Sequence, residues 1–273
     1  MKLSSFESKS MREIKQWEKE KHHGFHKKVL DVTSKPVDYL INKIGPDKFK
    51  HFEKTIAATI QALLTTARYT IDPQVLIKRA RDHGLMITSL SELKTCDLAI
   101  LDRCNRENIN FHEKAAAIQG AVLGLGGAFV AIADLTAVLV QDFHMLQEIA
   151  FCYSYDPNDL FEKEIILRVI EAAIGGSDVK FKALKEIEQL KRIKARKKKT
   201  RTSQKGTSVL GSKALEEYVE SLTVALLVRL IPRALPVISM VVSAHSNHEI
   251  MEHSGNTAFM VYRKRYIERK KEL

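Results

Sequence analysis

The chain has 273 residues and a formal net charge of +11, and it is rich enough in apolar side chains to bury a core without disulfides or a structural metal. Its three cysteines, Cys96, Cys104 and Cys152, form no CxxC pair, which excludes a disulfide framework and a zinc ribbon and fits a reducing, cytoplasmic setting. The first 25 residues are charged and amphipathic where a secretory signal needs an unbroken apolar run, so export is not expected.

Helical periodicity recurs along the chain and alternating strand patterns are absent. The expected fold is therefore all-α: a multi-helix domain with a central glycine-rich apolar helical pair, interrupted by a basic linker. Residues 1–33 read as an N-terminal charged amphipathic helical region and 34–190 as the main helical domain. Ser34 with Pro36 has the cap and first-turn chemistry of a helix start, and Gly45-Pro46 that of a stop and a restart. Ile56, Ile60, Leu63, Leu64 and Ala67 then form one apolar stripe, which predicts a helix over 46–70. Asp72-Pro73 opens a shorter helix closed near Gly84, and Ser91 opens another that runs to about Arg106.

From 115 to 140 the chain reads AAAIQGAVLGLGGAFVAIADLTAVLV, a length that can cross a bilayer. The cluster Gly124, Gly126 and Gly127 divides this run into two shorter helices, buried or lying on a membrane surface, and a single span is the alternative. Gly120 and Gly124 have the GxxxG spacing that lets another backbone approach closely, within the chain or between copies. The second helix continues through His144 and Ile149 to Tyr153. Asp156-Pro157 caps the next one, Gly175-Gly176 terminates it, and Asp178 is placed to cap its successor.

Residues 191–210 form the basic linker, and 211–273 form C-terminal helices packing on the main domain. Lys191, Arg192, Lys194, Arg196, Lys197, Lys198, Lys199 and Arg201 account for most of the excess positive charge, with no acidic residue among them. Three readings stand: an anionic-lipid patch, a nucleic-acid contact, or a solvated connection. Each Lys or Arg gains on the order of 1 kcal/mol at an anionic surface, and no aromatic residues interleave the tract as a nucleic-acid reader would require. Beyond it Leu215, Tyr218, Val219 and Leu222 renew a helical stripe, which Pro232 and Pro236 interrupt.

Asp134 is the residue of most interest, because a carboxylate in an apolar helix is costly unless paired. It marks either a functional site or a structural partnership, for instance with Arg229 or Arg233. His144 and Glu148 share a helix face at i and i+4 on the same segment, so a hydrolase pocket centred on Asp134 is the enzymatic alternative. The string HEIMEH at 248–253 is not HExxH: its second histidine falls five positions on, so the two rings do not face one metal. The run from Gly206 has Ser212-Lys213 where a phosphate-binding loop needs Lys followed by Ser or Thr. No catalytic, cofactor-binding or metal-ligating set emerges, and the reading is of a non-enzymatic accessory protein at an anionic membrane surface or on a membrane-protein partner.

The block GAVLGLGGAFVAIADLTAVLVQDFHMLQEIAFCYSYDPND resembles the central signature of the EcsC family. That signature is a glycine-rich apolar segment, then Ala133-Asp134, then a helix ending Glu148-Ile149-Ala150, then an aromatic at Tyr153 and Asp156. The closing run IPRALPVISMVVSAHSNHEIMEHSGNTAFMVYRKRY is similar to the family's last segment, with Pro236, Asn247 and the aromatic-basic ending at 262–266. Thr136 stands where the family commonly has proline, and Ser154 where glycine usually follows the aromatic. The resemblance implies a mostly helical protein, in some bacteria encoded beside an ABC-type transporter.

Overall fold

The structure, a computed structural model, describes residues 3–21, 42, 45–65, 73–82, 84–123, 127–199, 222 and 239–272. Among these residues all regular secondary structure is helical. In chain order the α-helices are α1 (Ser5–Lys19), α2 (Pro46–Thr65), α3 (Pro73–Asp82), α4 (Leu98–Leu123), α5 (Gly127–Cys152), α6 (Leu160–Ile174), α7 (Ser177–Lys199) and α8 (Ser239–Glu272). A 3₁₀ turn at Leu90–Thr95 precedes α4.

Local chemistry fixes the ends. α1 opens with a capping box, Ser4 Oγ accepting from Glu7 N–H at 3.1 Å and Glu7 Oε2 from Ser4 N–H at 2.8 Å. Gly45 precedes α2 with φ +93°, and Gly84 closes α3 with φ +87°, both as the sequence predicts. Three boundaries differ from expectation. The α-helix expected to open at Ser91 begins at Leu98, after the 3₁₀ turn over Leu90–Thr95. The helix expected to stop near Arg106 continues to Leu123, because nothing between Arg106 and Ala115 breaks it. The cap of α6 is Asp159 rather than Asp156: its side chain accepts from Phe161 N–H, while Asp156 Oδ1 takes Asn158 N–H one turn earlier.

The apolar run over 115–140 is divided between α4 and α5. Among the described residues no helix is long and apolar enough to cross a membrane. Asp134, buried in the run, is engaged by amides of neighbouring helices. Residues 191–199, expected to open the linker, continue α7 as helix, since Lys and Arg are good helix formers and carboxylates lie within reach. The start at Ser34, Arg229, Arg233, Gly124, Gly126, Arg201 and the prolines at 232 and 236 lie outside the described residues.

α8 organises the bundle. It packs chiefly on α4 and also on α5, α6 and α1, while α6 and α7 pair as a hairpin through Gly175. α2 lies on α5 and α6, burying Phe52, Ile56 and Ile60 of its predicted stripe. α6 is buried on every side, Glu162, Lys163, Glu164, Arg168 and Glu171 included. Lys180 of α7 closes the C-terminus of α1, donating to the carbonyls of Trp17 at 2.8 Å and Glu20 at 3.0 Å.

Two backbone positions carry measurable consequences. Ser154 adopts φ +62° at the end of α5, where Tyr155 N–H reaches back to the Ala150 carbonyl at 2.9 Å; this is the left-handed stop that favours glycine. Ser154→Gly is expected to raise stability by about 1 kcal/mol in urea denaturation, and a loss would show that the serine side chain contributes more than the strain costs. Gly255 lies where α8 crosses α4, and a Cβ there would meet Ile109 Cγ1 and Cγ2, each at 2.9 Å. Helix propensity alone predicts that Gly255→Ala gains about 1 kcal/mol. Overpacking against a buried β-branched side chain predicts a loss of roughly 1–3 kcal/mol, and a smaller one in an Ile109→Ala background, which lacks both Cγ atoms.

Candidate functional site

Polar groups inside an apolar bundle are the places where chemistry or specificity resides, because each must be satisfied or held at a cost. Asp134, buried in the first half of α5, accepts from Asn247 Nδ2 of α8 at 3.0 and 3.1 Å and from Gln119 Nε2 of α4 at 3.2 Å. Three helices therefore meet at one carboxylate. Asn247, noted in the closing segment, is thus a partner of Asp134, beside Gln119.

The expected pocket uniting Asp134 with His144 and Glu148 is not assembled. Ten residues of helix separate Asp134 from His144, on the order of 15 Å. His144 and Glu148 instead meet His112 of α4. His112 Nε2 lies 3.2 Å from Glu148 Oε2, and His144 Nδ1 lies 3.8 Å from Glu148 Oε1. The two imidazole centroids are 6.3 Å apart. One ligand atom from each of the three residues falls within 4.8 Å of the others. His112 and Glu148 are buried, whereas the His144 side chain is 36% exposed, so the cluster opens to solvent on one side. Burial lowers the His144 pKa, with Glu148 opposing and His112 assisting, which favours the neutral imidazole. His112 was not singled out in the sequence: it lies 36 residues from Glu148, a separation that carries no local signal.

The C-terminal basic segment is largely internal. Arg265 makes a bidentate pair with Glu162, both bonds 2.7 Å and both residues buried. Arg263 pairs with Glu13 and Asp102, Lys264 with Glu18 and Glu188, and Lys270 with Glu7. Arg269 donates to the carbonyls of Tyr153 and Ser154, each at 3.0 Å, closing the end of α5.

Of the cations in the basic tract, Lys191 pairs with Glu188 and Glu268, and Lys194 with Asp159 and Glu162. Arg192 is exposed. Arg196, Lys197, Lys198 and Lys199 form the last turn of α7. The Lys191–Glu268 pair, at 2.6 Å, sets this end of α7 beside the end of α8, whose last turn carries Arg269, Lys270 and Lys271. A shallow cleft of about 290 Å³ lies between them, walled by Tyr155, Phe161, Ala195, Arg265 and Glu272. The Arg265 guanidinium stacks 3.9 Å from the Tyr155 ring centre.

A larger cleft, about 600 Å³, runs along α1, α4 and α8 past Phe6, Asp102, Arg106, Asn110 and Arg263. Asp102 accepts from the Tyr153 hydroxyl at 2.7 Å and lies 2.8 Å from Arg263 Nη2.

The fold and these sites define an all-α bundle held by internal ion pairs, with a buried carboxylate lock in the first half of α5 and a His-His-Glu cluster in its second. The chain belongs to the EcsC protein family, which it matches over residues 8–267. It is similar to the uncharacterized protein YdbA of Bacillus subtilis (strain 168), 25% identical over 273 residues, covering 96% of this chain and 93% of that protein. It is also similar to the protein EcsC of the same organism, 22% identical over 222 residues, covering 80% of this chain and 87% of that protein. No solved structure matches.

Burial pushes the Asp102 carboxyl up from 3.8 to about 6, although Arg263 and Tyr153 pull it down. Between those values the folded chain retains a proton that the unfolded chain has released, so this group's contribution to stability falls as pH rises from about 4 to 6. The stability of the native chain relative to Asp102→Asn is expected to drop by roughly 3 kcal/mol between pH 4 and 7 in denaturant titrations. A difference that does not change with pH would show that the Arg263 contact offsets the burial.

Proposed function

We propose that the chain is a non-enzymatic accessory protein that works at an anionic membrane surface, at the inner face of the cytoplasmic membrane. The observation that carries this reading is the pairing of two basic helix ends. α7 finishes in Arg196, Lys197, Lys198 and Lys199, and the last turn of α8, set alongside, adds exposed Lys271, while Arg269 and Lys270 of that turn are engaged within the fold. Cations at a helix C-terminus are favoured by the macrodipole, and a row of them within one Debye length of anionic headgroups adds its attractions together. Ile193, a large apolar residue partly exposed in the same turns, adds a weak apolar contact.

A second apolar surface supports the same reading from another side of the molecule. Phe111 and Ile118 lie two turns apart on α4 and are 62% and 67% exposed. Val140 of α5 stands at the level of Phe111, a register fixed by Gln141 Nε2 donating to the His112 carbonyl at 3.4 Å. Large side chains left in water on one hairpin mark a contact surface. The family resemblance adds the transporter partner, an ABC-type membrane protein.

Co-sedimentation with vesicles tests the reading. The chain is expected to pellet with anionic vesicles in low salt, to be released as salt is raised, and to ignore neutral vesicles. Changing Lys197, Lys198 and Lys199 together to Ala removes about 3 kcal/mol, or roughly a hundredfold in apparent affinity. Protein that stays in the supernatant with anionic vesicles in low salt sinks the lipid reading.

A further inference from the structure

We propose that His112, His144 and Glu148 form a binding site for a divalent transition-metal ion of the zinc class, held between α4 and α5. The donor set is the first reason: two imidazoles and one carboxylate are the nitrogen and oxygen ligands that zinc and its neighbours in the series select. Calcium and magnesium, which take oxygen donors, are disfavoured.

Geometry is the second reason. Ligand bonds of about 2.0–2.1 Å at tetrahedral angles place the ligand atoms about 3.4 Å apart along each edge. Here His112 Nε2 lies 3.2 Å from Glu148 Oε2 and His144 Nδ1 lies 3.8 Å from Glu148 Oε1, and one ligand atom from each residue falls within 4.8 Å of the others. Closing on an ion therefore shortens an edge by at most about 1.4 Å, within reach of side-chain rotation. His144 and Glu148 stand one helical turn apart on α5, which gives the two-ligand helical face that such sites use. α4 contributes the third ligand in a register already held by the Gln141 contact to the His112 carbonyl.

The third reason is accessibility: the His144 ring, at the solvent edge, brings a further nitrogen to the carboxylate that already meets buried His112. Three protein ligands with His144 at the solvent edge leave a position for water or for an oxygen of a small anion. Four-ligand structural zinc sites have no such position. The site is independent of the basic helix ends, so membrane binding and metal binding stand or fall separately.

Titration of tag-free, chelator-treated full-length chain with Zn²⁺ by calorimetry, and with Co²⁺ by visible absorption, tests the proposal. One ion per chain is expected, with a rise in melting temperature. Affinity should fall on the order of a hundredfold in His112→Ala, His144→Ala and Glu148→Gln. His245→Ala, which removes an exposed histidine paired with Glu249 at 3.4 Å, should change nothing. If a buried-site variant fails to fold, the half-exposed His144→Ala carries the test with its circular dichroism unchanged. No stoichiometric binding by the native chain, or binding equally tight in folded His144→Ala, overturns the proposal.

Discussion

The rest of the bundle depends on how the cations of α8 are neutralised. Arg265 is buried, and a guanidinium taken from water is tolerable only with a carboxylate in the right place; Glu162 meets it with two parallel bonds of 2.7 Å. Burial works against its charge, yet Glu162 holds the group above the ordinary arginine range. The neighbouring residues repeat the device in other directions. Arg263 reaches α1 and α4, Lys264 reaches α1 and α7, and Lys270 reaches α1 again. Lys264 is pushed up to about 12: burial opposes the charge, and Glu18 and Glu188 overcome it. Buried pairs of this kind add little net stability over apolar replacements, but losing one partner costs about 3–5 kcal/mol. They therefore act on specificity, admitting one rotation of α8 against its neighbours.

That use of charge changes what the sequence's positive balance means. The aromatic-basic ending near Tyr262 reads as a surface when only the chain is seen, since five Lys or Arg fall within the eight residues from 263 to 270. In the fold those side chains point at carboxylates of α1, α4, α6 and α7, or at the carbonyls that end α5. The last turn of α7, by contrast, carries Arg196, Lys197, Lys198 and Lys199. The same logic places α1, which is charged and amphipathic. It docks through Glu7, Glu13 and Glu18, while Ile14 enters the core and Lys180 closes its last turn.

Much of the fold was legible because helix ends are written in short-range chemistry. Gly45, Gly84 and Gly175 stop or flank helices where the sequence places them, and the stripe of Ile56 and Ile60 faces the core. The errors have local causes too. An apolar block drew attention to Ala115 and hid the fact that the polar stretch before it continues the same helix. Asp156-Pro157 imitates a cap, and the true cap, Asp159, follows three residues later. The site was less legible because its partners are distant. Asn247 lies 113 residues from Asp134, and no periodicity or motif connects an amide to a carboxylate at that range. Ser154 was visible as a departure from the family pattern, but its left-handed conformation belongs to the backbone alone.

α5 carries two polar stations that differ in kind. At Asp134 the carboxylate is buried and receives amide donors from α4 and α8, so its bonding fixes the spacing of three helices. At Glu148 the partners are imidazoles, which exchange protons and bind metals, and one of them reaches the surface. Amides are inert near neutral pH and imidazoles are not. A helix that needed only bracing could have used amides at both stations. The choice of histidine at the second, on two helices and beside exposed Phe111 and Val140, separates the part of α5 that holds the bundle from the part open to exchange with its surroundings.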